Sequence, residues 1–382
     1  MISESIKTYS GRLIDDNCVK VTVERNIISK VEPISPDAGL PYLLPVLVDL
    51  QHNGGLGTYY NMLEKKGAQK LYEIADLLRR NGVGRCLATL TTHPFDKLLK
   101  SAELFTDTLS KDNDLEKLFF GFFQEGLFIS PKEGWRGSHL PEYMIAPDWE
   151  KFSELDAKCG GRIKVVNVAP EEPGAMEFIE QAAKAGKLVS IGHCCPSTEV
   201  IKESVKRGVS LVTHFGNGAA PMIHRFKNPF WEMLNNDSLK LGLVCDGFHL
   251  PPELVELALK VKGKQNCYPV SDATGFSGGA LGTHKFDDGT EVVVEDNGYI
   301  HVKDSEILSG AWFQLNRGVE FLIQNSGMSF VEAWKQCSLV PAEIIGIKLP
   351  AIKVGEEASF VIADYKNDKI EIKHSVHNGK EY

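Results

Sequence analysis

Eight short apolar runs, each followed by polar residues and then a helical stretch, constrain this chain more than any other feature. They are PVLVDL (45–50), RCLATL (85–90), KLFFGFFQE (117–125), IKVVNVAP (163–170), LVSIGH (188–193), VSLVTHF (209–215), KLGLVCDG (240–247) and CYPVSDA (267–273). A strand buried on both faces reads as a continuous apolar run, and strands alternating with helices are the pattern of a parallel sheet. Eight such units predict an α/β fold, a closed (β/α)8 TIM-type barrel rather than an open sheet. Helical stretches between runs include KKGAQKLYEIADLLRRNG, GAMEFIEQAAKAGK and PPELVELALKVKG, each closed by a glycine.

The two ends of the chain read differently. VKVTVER (19–25) and IISKVEP alternate like strands, as does ASFVIADYKNDKIEIKHSV near the other end with a turn at Lys366-Asn367-Asp368. Residues 1–44 and 352–382 are therefore expected to pair in one small β-sandwich, with the barrel spanning 45–351. Within the barrel, residues 284–303 alternate around the turn signals Asp287-Asp288-Gly289 and Asp296-Asn297-Gly298 and predict a hairpin insertion. Two helices, AWFQLNRGVEFLIQN and SFVEAWKQCSL, then close the barrel.

A net charge of -9 excludes a generally basic surface, so neither nucleic acid nor an anionic membrane is an expected partner. The 8 cysteines are scattered without a CxxC pair, which reads as free thiols in a reducing compartment. Cys194-Cys195 follows His193, but no second cysteine cluster completes a thiolate zinc site. MISESIKTYSGRL has no apolar core for a signal peptide and no apolar run is long enough to span a bilayer, so a cytoplasmic protein is expected.

In a barrel of this kind the chemistry comes from the carboxyl ends of the strands. Those ends carry Gln51 and Asn53, His93, Glu125, Glu171, His193, His214 with Asn217, Asp246 with His249, and Asp272. His193 and His214 close consecutive runs joined by one helix, which Ser197 caps and Gly208 stops. A single histidine at a strand end is ordinarily a hydrogen-bonded rim residue; two at matching ends, with Glu125 as a third donor, form a two-histidine, one-carboxylate set that suits zinc with an open position. Asp272, at the end of the eighth run, reads either as an N-cap within SDATG or as the carboxylate that moves protons beside the metal.

These residues resemble the N-acetylglucosamine-6-phosphate deacetylase family of the amidohydrolase superfamily. The likeness holds in order through VDLQHNGGLG, FFQEGLFI, RGSHLPE, NVAPE, IGHCCPST, THFGNGAAP, CDGFHL, VSDATG, LSG at 308–310 and VPAEIIGI. It implies an amidohydrolase barrel with a small β-sandwich built from both termini. It further implies Glu125, His193 and His214 as ligands of one divalent metal, most simply Zn2+, and Asp272 as the catalytic carboxylate. His139 would orient the acetyl carbonyl and His249 would touch the substrate. Asn217 and the Gly218 backbone would hold the sugar phosphate, helped by Arg225 from the neighbouring subunit of a homodimer.

Many superfamily members carry a His-x-His pair on the first strand, where this chain has Gln51-His52-Asn53. His52 falls between the two ligand positions and points to the opposite face, so one metal is expected. Family members read Asn-Ala-Met where this chain has Asn217-Gly218-Ala219. They read Arg-Glu-Pro-Gly where it has Arg225-Phe226-Lys227-Asn228-Pro229, which leaves Arg225 and Lys227 both open as the phosphate ligand. The expected reaction is removal of acetate from an N-acetyl amino sugar 6-phosphate in amino-sugar catabolism. The galacto epimer, an unphosphorylated N-acetyl sugar, or a catalytically silent sugar-phosphate sensor are the alternatives.

Overall fold

Apolar runs that must be covered on both sides curl into a ring in the computed structural model, which describes residues 6–286 and 289–382. The eight barrel strands are, in order, Leu47–His52, Val83–Leu90, Phe119–Gln124, Ile163–Val168, Leu188–Ile191, Val209–Val212, Lys240–Val244 and Cys267–Val270. Each hydrogen-bonds to its neighbour in sequence, and each pairing is parallel. The helices between them pack outside, and one apolar core runs from the strands into those helices.

The first and eighth strands share no regular ladder. They meet where the first strand ends and just past the end of the eighth, where Asp272 N donates to Gln51 O at 3.0 Å and Asn53 N to Ala273 O at 2.8 Å. Below that junction the Asp49 carboxylate spans the seam, accepting from Ser271 Oγ at 2.5 Å and Ser271 N at 3.1 Å. Complete burial pushes this carboxyl up to about 7 despite those bonds. The barrel is thus closed by a side chain where backbone pairing is incomplete.

Both chain ends contribute to one seven-stranded mixed sheet. Tyr42–Leu44 sits at its centre, parallel to Ile6–Arg12 on one side and antiparallel to Phe360–Lys366 on the other. The alternating residues Val19, Val21 and Val23 face a shared core with Ile28, Leu43, Phe360, Ile362 and Val376. Ile28 N also donates to Glu356 O at 3.0 Å and Ala358 N to Asn26 O at 2.8 Å, so the sheet folds over its own core.

Three local expectations change. The insertion is a three-stranded antiparallel sheet, Gly282–Lys285, Glu291–Val294 and Ile300–Val302, rather than a two-stranded hairpin. Of its two turn signals, Asp287-Asp288 lies outside the described residues. The stretch 65–82 is broken at Gly67 into Leu63–Lys66 and Gln69–Arg80. Three helices rather than two close the barrel: Asn316–Asn325, Phe330–Gln336 and Leu339–Ile345. All 8 cysteines are free, and none belongs to the three-residue group that could hold a metal. No helix among the described residues is long and apolar enough to cross a membrane.

His377, on the strand Lys369–His377, is buried where this sheet meets the barrel, and burial followed by the charges of Arg79 and Arg85 lowers its pKa to about 3. The unfolded chain, with an ordinary imidazole near 6.5, therefore binds the proton first. Stability present above that pH is lost as the pH falls towards 3. This residue is expected to cost roughly 2 kcal/mol between pH 7.5 and pH 5. Urea unfolding at both pH values should show a shallower loss in His377→Gln than in the parent, and equal slopes would contradict the assignment.

Candidate metal centre and active-site cavity

The strand order places the ends of the third, fifth and sixth barrel strands around one mouth, and each delivers a donor. Glu125 Oε1 lies 2.9 Å from His214 Nε2 and 3.5 Å from His193 Nε2, and the two Nε2 atoms are 2.9 Å apart. All three residues are buried, and they form the one group of this kind found among the described residues. Donors about 2.0–2.1 Å from a tetrahedral ion stand roughly 3.3 Å from one another, so the triangle is the right size for zinc.

The hydrogen bonds around the triangle also fit an ion. His193 Nδ1 lies 3.0 Å from the Trp135 carbonyl and must donate to it, which leaves Nε2 with its lone pair facing Glu125 and His214. Gln51 Nε2 donates to Glu125 Oε1 at 2.9 Å and holds the carboxylate in place. Burial works against a charged Glu125, but hydrogen bonds and charge from His193 and His214 in their protonated forms, the state a bound cation would replace, outweigh it and keep this carboxyl far below the usual range. The centre attracts positive charge.

Asp272 stands beside it at the end of the eighth strand. Its Oδ1 accepts from Asn53 Nδ2 at 2.8 Å and Gln51 Nε2 at 3.1 Å, so Oδ2 is the oxygen left for a ligand. Burial, then the charge of Glu125, raises its pKa above that of an ordinary aspartate. Gln51 therefore bridges Glu125 and Asp272, and Asn53 anchors Asp272 from the same strand. His193, His214 and Asp272 all take positive φ, at 52°, 27° and 50°. Such backbone costs of the order of 1 to 3 kcal/mol per residue and collects at functional sites.

These groups open into a cavity of about 750 Å³. His139 lines it with Nδ1 2.8 Å from Thr92 Oγ1 and its ring centre 4.6 Å from that of His193. Burial and the neighbouring histidine lower its pKa to about 3, so the ring is neutral, and the tautomer in which Thr92 donates to Nδ1 carries its N–H at Nε2. His249 gives Nδ1 to Asp246 Oδ2 at 2.8 Å, leaving Nε2 for a ligand. Burial opposes its charged form, but Asp246 more than offsets this and raises its pKa. Asn217 Nδ2, Asn53 Oδ1 and Asn61 Oδ1 are buried polar atoms without a protein partner on residues that line the cavity. Buried groups of that kind call for a bound partner.

Gly218 lines the same wall at φ 57°, and a Cβ there would come within 2.4 Å of His193 Nδ1. The backbone can lie against a ligand histidine only because this residue has no side chain.

Of the strand-end residues singled out above, Asn53, His93, Glu125, His193, His214, Asn217, His249 and Asp272 all line the cavity. Gln51 and Asp246 stand behind the lining and orient it. Glu171 does not reach the cavity; it accepts from Cys195 N at 2.5 Å. His52 turns away as its parity demands, with Nδ1 2.8 Å from Tyr60 Oη and Nε2 3.2 Å from Gln314 Oε1. Arg225 and Lys227 lie on an exposed loop outside the cavity of their own chain, Arg225 with its guanidinium 5.0 Å from the Phe226 ring centre. Thr92, Asn61 and the Trp135 carbonyl were not foreseen. A carbonyl leaves no trace in side-chain identity, and Thr92 sits in a loop and Asn61 in the short 3-10 helix Tyr60–Met62, neither within a motif.

No family model matches the chain. The N-acetylglucosamine-6-phosphate deacetylase of Lysinibacillus sphaericus is 26% identical over 324 residues, covering 85% of this chain and 81% of that protein. The N-acetylgalactosamine-6-phosphate deacetylase of Escherichia coli is 25% identical over 358 residues, covering 92% and 91%. The solved N-acetylglucosamine-6-phosphate deacetylase of Thermotoga maritima superposes with a TM-score of 0.83 at 26% identity, over 99% of each chain. Similarity to these proteins over most of both chains, a TM-score of 0.83 to one of them, and a buried Glu-His-His centre agree: the chain belongs to the N-acetylglucosamine-6-phosphate deacetylase family of the amidohydrolase superfamily.

Proposed function

We propose that the chain is a metal-dependent deacetylase that converts N-acetyl-D-glucosamine 6-phosphate to glucosamine 6-phosphate and acetate. The observation that carries this reading is the convergence of Glu125, His193 and His214 beside a carboxylate, Asp272, whose pKa is raised. A divalent ion held by the three donors, zinc by their chemistry, would polarise the amide carbonyl and lower the pKa of water. Asp272 Oδ2 takes the proton of the attacking water and returns it to the departing amine. Neutral His139 donates its Nε2 hydrogen to the carbonyl oxygen as negative charge develops there. His249, Asn217 and the Gly218 backbone hold the sugar phosphate. We propose further that Arg225 serves the site of a second copy in a homodimer, with Lys227 as the other cation on that loop.

A second reading, the galacto epimer, rests on the similarity to the Escherichia coli protein, which is nearly as strong. Acetate release from a panel of N-acetyl hexosamines, with and without a 6-phosphate, separates the readings. The gluco 6-phosphate should give the highest kcat/KM, and removing the phosphate should cost about 2 to 5 kcal/mol of transition-state binding. A higher value for the galacto compound would select the second reading, and no acetate from any sugar would leave only a silent sensor.

A further inference from the structure

The regular ladder stops short of the metal centre. The third, fifth and sixth barrel strands end at Gln124, Ile191 and Val212, so Glu125, His193 and His214 all project from backbone beyond the last paired residue. Backbone bonds past those ends tie Glu125 N to Leu90 O at 3.1 Å, Thr213 N to Ile191 O at 2.9 Å and Phe215 N to Gly242 O at 2.7 Å. The fourth strand separates the third from the fifth, however, so a direct link across all three ends falls to side chains.

We infer that Asn167 is a positioning residue of this centre, one buried amide that couples the three strand ends carrying the ligands. It lies on the fourth strand, Ile163–Val168, fully buried between them. Its Nδ2 donates to the carbonyl of Glu125 at 3.2 Å and to that of Gly192, the residue before His193, at 3.2 Å. Its Oδ1 accepts from the hydroxyl of Thr213, the residue before His214, at 2.9 Å. Thr213 Oγ1 in turn lies 2.6 Å from Ser190 Oγ; because the Thr213 hydrogen is already committed to Asn167, Ser190 is the donor there. The amide cannot be turned over, since both Nδ2 partners are carbonyls that only accept.

Gly192 carries a second sign of the same arrangement. A Cβ there would lie 2.6 Å from Thr213 Cβ and 3.0 Å from Asn167 Oδ1, so the close approach needs glycine. Asn167 touches no ligand atom of the centre. It acts through the backbone of Glu125 and of the residues before the two histidines, and removing it frees three donors to move apart. Partners of this kind commonly change metal affinity by about 10- to 100-fold.

This inference rests on the metal-centre reading above, and the test separates the two. Zn2+ affinity is measured by chelator competition for the parent, Asn167→Leu, Thr213→Val and Thr213→Ser, with urea unfolding of each metal-free protein alongside. Asn167→Leu and Thr213→Val should bind zinc about 10- to 100-fold more weakly, while Thr213→Ser, which keeps the hydroxyl, should restore binding close to that of the parent. Unchanged zinc affinity with only a lowered unfolding midpoint would overturn the inference and leave Asn167 a packing residue. If Asn167→Leu does not fold, the Thr213 pair decides alone. A parent chain that takes up no zinc overturns the metal-centre reading and this inference with it.

Discussion

Asp272→Asn is expected to lower kcat by about 10²- to 10⁴-fold, the usual contribution of a positioned acid–base group, while metal content stays at the parent level. The substitution is nearly isosteric. Its amide oxygen can still accept from Asn53 and Gln51, so the seam between the first and eighth strands survives. What it loses is the ability to take a proton and return it. Acetate release at saturating substrate, paired with metal analysis of the same sample, checks this; turnover near that of the parent with normal metal would remove Asp272 from the chemistry.

Stripping the metal should have an effect of similar size. Chelation followed by exchange into metal-free buffer is expected to reduce acetate release by at least about 10³-fold, equivalent to roughly 4 kcal/mol of transition-state stabilisation. Zinc should restore it. The same treatment should lower the unfolding temperature, because an ion that binds only the folded chain stabilises it by mass action. Full activity after chelation would show that Glu125, His193 and His214 do not hold the group on which hydrolysis depends.

Much of the fold is legible because parallel strands buried on both faces leave continuous apolar runs, and all eight runs are barrel strands. The first is the least regular. It starts at Leu47 and continues through Gln51 and His52, because Asp49, Gln51 and His52 are all buried and break the apolar signal from inside. The helix after the insertion begins at Asn316 rather than near Ala311. Thr274 N donates to Ala311 O and Ala311 N to Asp272 O, both at 2.8 Å, so this stretch pairs with the eighth strand's end instead of coiling. The last helix, Leu339–Ile345, hides behind Pro341, which its first turn tolerates because an amide hydrogen there has no intrahelical partner.

The site divides along the same line. Glu125, His193, His214 and Asp272 announce themselves as charged or metal-binding types closing apolar runs. Their supports do not: Thr92 is one of two threonines in a loop, and Asn167 is a single polar letter within IKVVNVAP. An asparagine inside a strand buried on both faces is nonetheless a readable sign, since it must find partners for every polar atom it takes there.

The central claim, that three donors distant in sequence hold one divalent ion, is tested most directly by metal analysis of the purified parent chain and of His214→Ala, each checked for native fold. About one equivalent of zinc or a similar ion in the parent, with most of it lost in the variant, is the result expected from a three-donor site. Equal metal content in both, or none in the parent, would contradict it.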